Sequence, residues 1–356
     1  HHLSFCSIGS DLPTQLQRSI FQHGKKKLHL FSIPECKTII PGMGTRINLP
    51  LRINKMDLIY IQLFSQTLIN LVAVLGLNVV MGLAGQTNLG TIALVALGSY
   101  TSALISQATG STNLIGLLAA LVVAVLVGFM LGYPSLRVSG IFLSLTTMSV
   151  AQIVYSLANS MQWLTGGAMG VKDISEPNIF GIVFETQAQL YYFILVIAIL
   201  LIIFSVRLTK SKYGRALKAV RDNPEAVESV GLSVTKLKLM AFLIATILGC
   251  LAGVFYTWVM QYVAPTTFTT DNGTKFVVML MLGGIGSTSG MIIGAILVTI
   301  LPELLRFMGD YYQLVFYGIA LLLLLVYPLG LSHLFSQLKK KAAAFFAGRK
   351  KTQKEG

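Results

Sequence analysis

Charge is scarce in this sequence. Asp, Glu, Lys and Arg make up 11% of the 356 residues, against roughly 25% in an average soluble chain. That excludes an ordinary soluble domain, which needs a polar surface around its core. Cysteine and histidine are scarcer still. The three cysteines, Cys6, Cys36 and Cys250, have no metal-ligating or redox spacing, and Cys250 sits in an apolar run. Neither a disulfide framework nor a metal site is expected. Of the five histidines, His1, His2, His23 and His29 fall in the first 55 residues and His333 at the end of an apolar run. No nucleophile motif accompanies them, so no catalytic residues are assigned and the chain reads as a non-enzyme. The glycine-rich stretch GGIGSTSG at 283–290 lacks the Lys-Ser/Thr ending and the upstream strand of a phosphate loop. Nucleotide hydrolysis by this chain is therefore excluded, and no cofactor is expected on it. No signal peptide is readable at the start.

Hydrophobic residues are abundant. They form 54% of the chain, and the mean hydropathy is +0.74. Several runs reach the length of about 20 residues that a bilayer core requires. They lack the alternation of a membrane barrel. The predicted fold is an all-α integral membrane protein, a polytopic helical bundle of about 8–9 spans with one short or broken. The spans are expected near 58–82, 89–107, 114–132, 140–160, 190–207, 239–260, 276–285 (the short one), 291–308 and 313–331. Three regions are expected: a polar basic arm over 1–55, a transmembrane domain over 56–335 with a cytoplasmic loop at 208–238, and a basic tail over 336–356. The net charge of +14 collects in the arm, the central loop and the tail. Basic blocks beside spans mark the cytoplasmic face and favour anionic lipid, not nucleic acid. Arg207, Lys210, Lys212, Arg215, Lys218 and Arg221 put the loop inside, and Lys339, Lys340 and Lys341 do the same for the tail. Counting back leaves Arg137 inside, 160–189 outside, and the first span beginning on the outer face beside the basic arm. Three explanations stay open: a missing first span, an unnatural arm, or misplacement of the first two spans. The arm itself reads as disordered or as an extension upstream of a start near Met43 or Met56, and the extension is favoured.

The most informative polar stretch is Lys210 to Lys238. Asn223 is a good N-cap, Pro224 suits the first helical position, Gly231 fits a left-handed stop, and Ser233 can cap the following helix. A short capped helix between two spans offers itself to a soluble partner. The alternative is an ordinary solvated loop. Within the spans ionisable residues are nearly absent, and Glu303 and Arg306, three apart, are expected to pair near the outer end of theirs. The missing mid-membrane carboxylate counts against a proton- or sodium-coupled carrier. GLAGQTNLG, Gly82 to Gly90, cannot comfortably continue a lipid-facing helix, and irregular backbone at that depth is tolerated where it is buried or lines a watery path. Free amides near Asn88 would suit a substrate carboxylate; a plain cytoplasmic turn is the alternative. Candidate path residues are Asn78, Gly82, Gly85, Gln86, Asn88 and Gly90. Ala245, Gly249 and Gly253, and likewise Gly286, Gly290 and Gly294, recur every four residues. Such spacing predicts close helix packing, within the subunit or between copies. Leu164-Thr165-Gly166-Gly167 reads as an outer turn.

Taken in order, GLNVVMGLAGQTNLG, GSYTSAL, LRVSGIFLSLTTMSVAQIV, LTGGAMGV, YGRALKAVRDNPEAVESVG, LAGVFYTWV and LGGIGSTSGMIIGAILVTILPELLR resemble the LivM-type permease subunits of branched-chain amino acid ABC importers, over about residues 58–331. The resemblance implies transport by alternating access in the plasma membrane of a prokaryote. It implies a second, related permease, two cytoplasmic ATPase subunits that hold ATP and Mg, and an extracytoplasmic binding protein that delivers substrate. Tyr213 to Gly231 matches the family's ATPase-coupling loop, and Gly214, Arg215, Ala219, Arg221, Asn223, Glu225, Ala226 and Gly231 are the matching positions. Many members carry an apolar span where this chain has its polar arm. Related permeases serve urea, amides or sugars, and no residue here decides among the substrates. An ion-coupled carrier and a purely structural membrane subunit remain the readings from other classes.

Overall fold

The computed structural model describes residues 55–109, 113–135 and 140–327 apart from positions 173, 176, 180, 181 and 185, together with 330 and 331. The arm up to residue 54, Arg137 and the basic tail lie outside the described residues. Everything described belongs to the unit that begins at Ile53.

Among the described residues twelve α-helices follow one another: α1 (Lys55–Leu77), α2 (Thr91–Thr109), α3 (Asn113–Ser135), α4 (Ile141–Ser160), α5 (Gln162–Thr165), α6 (Gln187–Lys210), α7 (Lys212–Asp222), α8 (Pro224–Ser229), α9 (Val234–Met260), α10 (Thr270–Gly283), α11 (Thr288–Leu304) and α12 (Tyr312–Val326). Seven are long and apolar enough to cross a membrane: α1 with its extension to Leu83, α2, α3, α4, α6, α9 and α11 with its extension to Gly309. α12 is a shorter apolar helix, and α10, over the expected short span, has 14 residues. The all-helical expectation holds. Among the described residues the only paired strands are Asn178–Ile179 and Ile182–Val183, an antiparallel pair in the predicted outer loop.

α9 packs against α1, α2 and α3 at once. Glycines let the helices around it approach closely, and two of them set its crossing with α2. At Gly98 of α2, a Cβ would strike the Cys250 carbonyl of α9; at Gly253 of α9, it would strike the Val95 carbonyl and come within 2.7 Å of the Ser99 amide. The contact is reinforced by polar bonds that need no water: Ser99 Oγ donates to the Gly253 carbonyl (2.9 Å) and Thr257 Oγ1 to the Ser99 carbonyl (3.0 Å). Gly249 faces Leu94, and Ala245 lies against Gly76 of α1. The four-residue glycine spacing thus serves packing within the subunit. The second set behaves alike. Gly290 and Gly294 of α11 lie against Gly283 and Met279 of α10, closing a tight hairpin.

The outer faces of α3, α6 and α12 present large apolar side chains, among them Leu126, Met130, Leu200, Phe204, Leu321 and Leu325. These are surfaces for lipid tails, since bilayer hydrocarbon is as apolar as the side chains themselves.

Three expected boundaries shift. α9 begins at Val234 rather than 239, because the residues after Ser233 already turn as helix and Val234 is buried against Val220 and Val227. α10 begins at Thr270 rather than 276, capped by Thr269, whose Oγ1 accepts from the Asn272 amide (3.5 Å). α12 ends at Val326. The turn that follows α1, Asn78–Leu83, lies against α7. Glu303 and Arg306 pair as expected, at 3.1 Å. The turn at Leu164–Gly167 also forms: Gly166 has φ 71°, and Thr165 Oγ1 donates to the Ala158 carbonyl (2.6 Å).

Candidate functional site

The central loop folds as two helices, not one. α8 has the ends read from the sequence: Asn223 Oδ1 accepts from the Ala226 amide (3.1 Å), Pro224 is its first residue, and Gly231 has φ 84°. The preceding α7 escaped the sequence reading. Its signals were there. Ser211 caps it through the Gly214 amide (3.2 Å), and Gly214, Leu217 and Val220 fall three apart between charged neighbours and are all buried. Gly214 sits where a Cβ would strike the Leu208 carbonyl, which lets α7 fold back sharply on α6. Leu217 enters an apolar cluster with Val79, Val80, Leu83 and Phe242. Arg215 donates to the Lys210 carbonyl (2.8 Å). Ala219, Asn223, Glu225, Ala226 and Gly231 face water.

Beneath α7 lies the break after α1. Asn78–Leu83 forms a wide π-helical turn, a form common at functional positions. Asn78 is 0% exposed, and its Oδ1 accepts from the Gly286 amide (2.9 Å) in the α10–α11 turn. Gly82 is required at this spot, because a Cβ there would run into Asn78 and come within 2.8 Å of the Gly286 nitrogen. Gly85 has φ 69°, and Arg221 packs across it. Arg221 Nη1 donates to the Gly82 carbonyl (2.8 Å), while its Nε is paired with Asp222 (3.2 Å). The structure therefore joins two groups that the sequence left apart, the positions expected to couple and the positions expected to line a path, through Arg221.

The remaining path candidates extend the junction to α4. Gln86 is 5% exposed, and its backbone N–H donates to the Val80 carbonyl (3.0 Å). Asn88 is 2% exposed and its Oδ1 accepts from the Gly90 amide (2.8 Å). Thr147 of α4 accepts from the Leu89 amide (3.0 Å), and Gly90 lies against the Thr147 carbonyl. Thr87 Oγ1 donates to the Gly140 carbonyl (2.8 Å) at the start of α4. The amides of Leu89 and Gly90 are thus already bonded. One short break consequently touches α7, the α10–α11 turn and α4. The stretch GGIGSTSG supplies that turn, with Ser287 capping α11 through the Gly290 amide (3.3 Å).

Two further features went unread. Along α4 the side chains of Ser149, Gln152, Ser156 and Ser160 point outward at helical spacing and border a shallow groove. A cavity of about 250 Å³ lies on the opposite side of the molecule from α7, and Lys275 lines it.

Residues 59–325 match the family model described as the branched-chain amino acid transport system / permease component. The chain belongs to this family. It is 32% identical over 294 residues to the high-affinity branched-chain amino acid transport system permease protein LivM of Salmonella typhimurium, covering 76% of this chain and 69% of that protein. It is 33% identical over 302 residues to LivM of Escherichia coli, covering 78% and 71%. A more distant relative is the autoinducer 2 import system permease protein LsrC of Salmonella choleraesuis, 29% identical over 184 residues, about half of each chain. No solved structure matches significantly. Membership makes the chain the permease component of an ABC-type branched-chain amino acid import system. It is a multi-pass plasma-membrane protein and a transport subunit rather than an enzyme. The family's systems combine permease, ATPase and binding protein.

Proposed function

We propose that this chain forms one half of a translocation path for branched-chain amino acids, worked from the cytoplasm through α7 and α8. Its partners are a second, related permease, two ATPase subunits carrying ATP and Mg, and an extracytoplasmic binding protein. The observation that carries the reading is the hydrogen bond from Arg221 to the Gly82 carbonyl. It ties the exposed loop to the one irregular turn in the first span. When the ATPases close on ATP, α7 and α8 move with them. Leu217 and Arg221 pass the displacement to the π-helical turn. Asn78 hands it to the α10–α11 turn and Thr147 to α4. The residues Asn78, Gly82, Gly85, Gln86, Asn88 and Gly90 form the inner gate of the path. Gly214, Arg215, Ala219, Asn223, Glu225, Ala226 and Gly231 shape or present the surface that the ATPase grips.

The polar stripe on α4 fits the same arrangement. An amide and three hydroxyls facing lipid are unfavourable, whereas facing a second permease or a water-filled path they are not. That face of α4 is therefore assigned to the seam between the two permeases.

The decisive experiment is uptake of labelled leucine into vesicles holding the purified complex and binding protein, with and without ATP. Uptake driven by an ion gradient without nucleotide overturns the reading. A narrower test is Glu225→Arg. The residue is exposed in the first turn of α8, so reversing its charge alters the presented surface and leaves the spans untouched. Co-purification of the ATPases is expected to fall several-fold while membrane insertion is unchanged. Undiminished co-purification removes α8 from the interface.

A further inference from the structure

Lys275 lies in the second turn of α10. Its Nζ donates to Asn272 Oδ1 (2.8 Å), a neutral partner. Asp271, one turn earlier, is exposed and makes no ion pair with it; the ion pairs among the described residues are Arg221–Asp222 and Arg306–Glu303. Asp271 therefore acts on the ammonium only at a distance. A half-buried ammonium with no carboxylate in direct contact is costly in a membrane protein, and such a group is a candidate partner for an anion.

The cavity beside it has matching chemistry. It lies between α1, α2, α10 and α11, and its wall is apolar at Ile92, Phe276 and Val298. Two amides on α1 complete it. Gln66 Nε2 donates to Asn70 Oδ1 (3.2 Å) and Asn70 Nδ2 to Thr299 Oγ1 (3.0 Å). Those bonds leave Gln66 Oε1 buried with no donor. A cationic donor bonded only to a neutral amide and a free neutral acceptor thus border one mostly apolar space. Its volume of about 250 Å³ is below the roughly 300–1,000 Å³ of pockets for drug-sized ligands, which suits a single small molecule.

We propose that this cavity is an outer binding site for an aliphatic α-amino acid, with Lys275 taking its carboxylate, Gln66 Oε1 its ammonium, and the apolar wall its side chain. The inference rests on the permease reading and deepens it. On α1, Gln66 and Asn70 precede the π-helical turn, so the site lies on the side away from α7, where substrate arrives. Nearer the inner gate, the backbone amides of Leu89 and Gly90 are engaged with the protein itself, and no cationic side chain accompanies them in the break.

The test is equilibrium binding of tritiated leucine to the purified permease–ATPase complex without binding protein. Leucine is expected to bind and to be displaced by isoleucine but not by leucinamide, which lacks the carboxylate. Lys275→Met is expected to weaken binding by about thirtyfold or more, as for a buried charge that loses its partner, while Lys275→Arg retains it. Unchanged binding in Lys275→Met, or no binding to the unaltered complex, overturns the site. Should Lys275→Met fail to assemble, the leucinamide comparison on the unaltered complex decides. Displacement by leucinamide as effective as by isoleucine overturns it. ATP-driven leucine uptake by the unaltered complex with binding protein is measured alongside. Uptake without binding at this site removes the inference alone; absence of uptake removes the permease reading with it.

Discussion

A chain carrying Gly85→Leu assembles with its partners and transports nothing. Two costs arise at one point. Gly85 has φ 69°, a conformation that costs a residue with a Cβ about 1–2 kcal/mol. The leucine side chain must also occupy space that Arg221 fills, with the Arg221 Cβ only 3.1 Å from where a Cβ would stand. Overpacking of that kind costs about 1–3 kcal/mol. The cheapest relief is displacement of Arg221, whose side chain is flexible and partly exposed, not separation of the spans. Relief of this sort breaks the bond to the Gly82 carbonyl and lifts α7 from the π-helical turn. Leucine uptake into vesicles should fall to background while the complex still elutes as one species. Full uptake in the assembled variant would remove the junction from the mechanism. Arg221→Ala is the companion variant. It deletes the same bond without adding bulk, so its uptake should fall in the same direction.

The opposite outcome is expected for Gly253→Leu: no folded protein. Here the obstacle is backbone. The Val95 carbonyl and the Ser99 amide lie against the position a Cβ would take, and neither can rotate away. The only relief is to part α2 from α9, which breaks Ser99 Oγ to the Gly253 carbonyl and Thr257 Oγ1 to the Ser99 carbonyl. It also opens the contact that sets the crossing of the two helices. Yield in detergent, followed by size-exclusion chromatography, should collapse. Gly318→Leu serves as the control, because a Cβ at Gly318 meets nothing within 4 Å and the residue faces outward on α12. Equal yields of the two variants would show that the crossing is not needed for folding.

These two glycines also mark what a reader of the sequence could and could not see. The spans were legible because a bilayer imposes a long apolar run, and each expected run meets a helix. The ends of α8 were legible because Asn223, Pro224 and Gly231 act through local geometry. The amphipathic α7 is harder to read: Leu217 and Val220 bear its signal, but the cap at Asn223 that follows is a stronger local mark. Lys275 was missed for a similar reason. The short span was begun one residue after it, whereas Thr269 and Asp271 already announce a helix start. The junction itself had no sequence signal. Arg221 and Gly82 lie 139 residues apart, and no local propensity reports which distant carbonyl a guanidinium will find. The resemblance implies a coupling role for the loop, but what the loop touches inside its own subunit depends on the tertiary fold.

One property of that contact reaches beyond a single chain. The acceptor at position 82 is a main-chain oxygen, which every amino acid possesses, so natural drift along the first span leaves it in place as long as the position stays small. The donor is a single long side chain with no substitute of equal reach and shape. Hybrid subunits assembled from two homologues should therefore tolerate exchange of the first span far better than exchange of the segment bearing the arginine, and that asymmetry would be visible in growth on the transported nutrient alone.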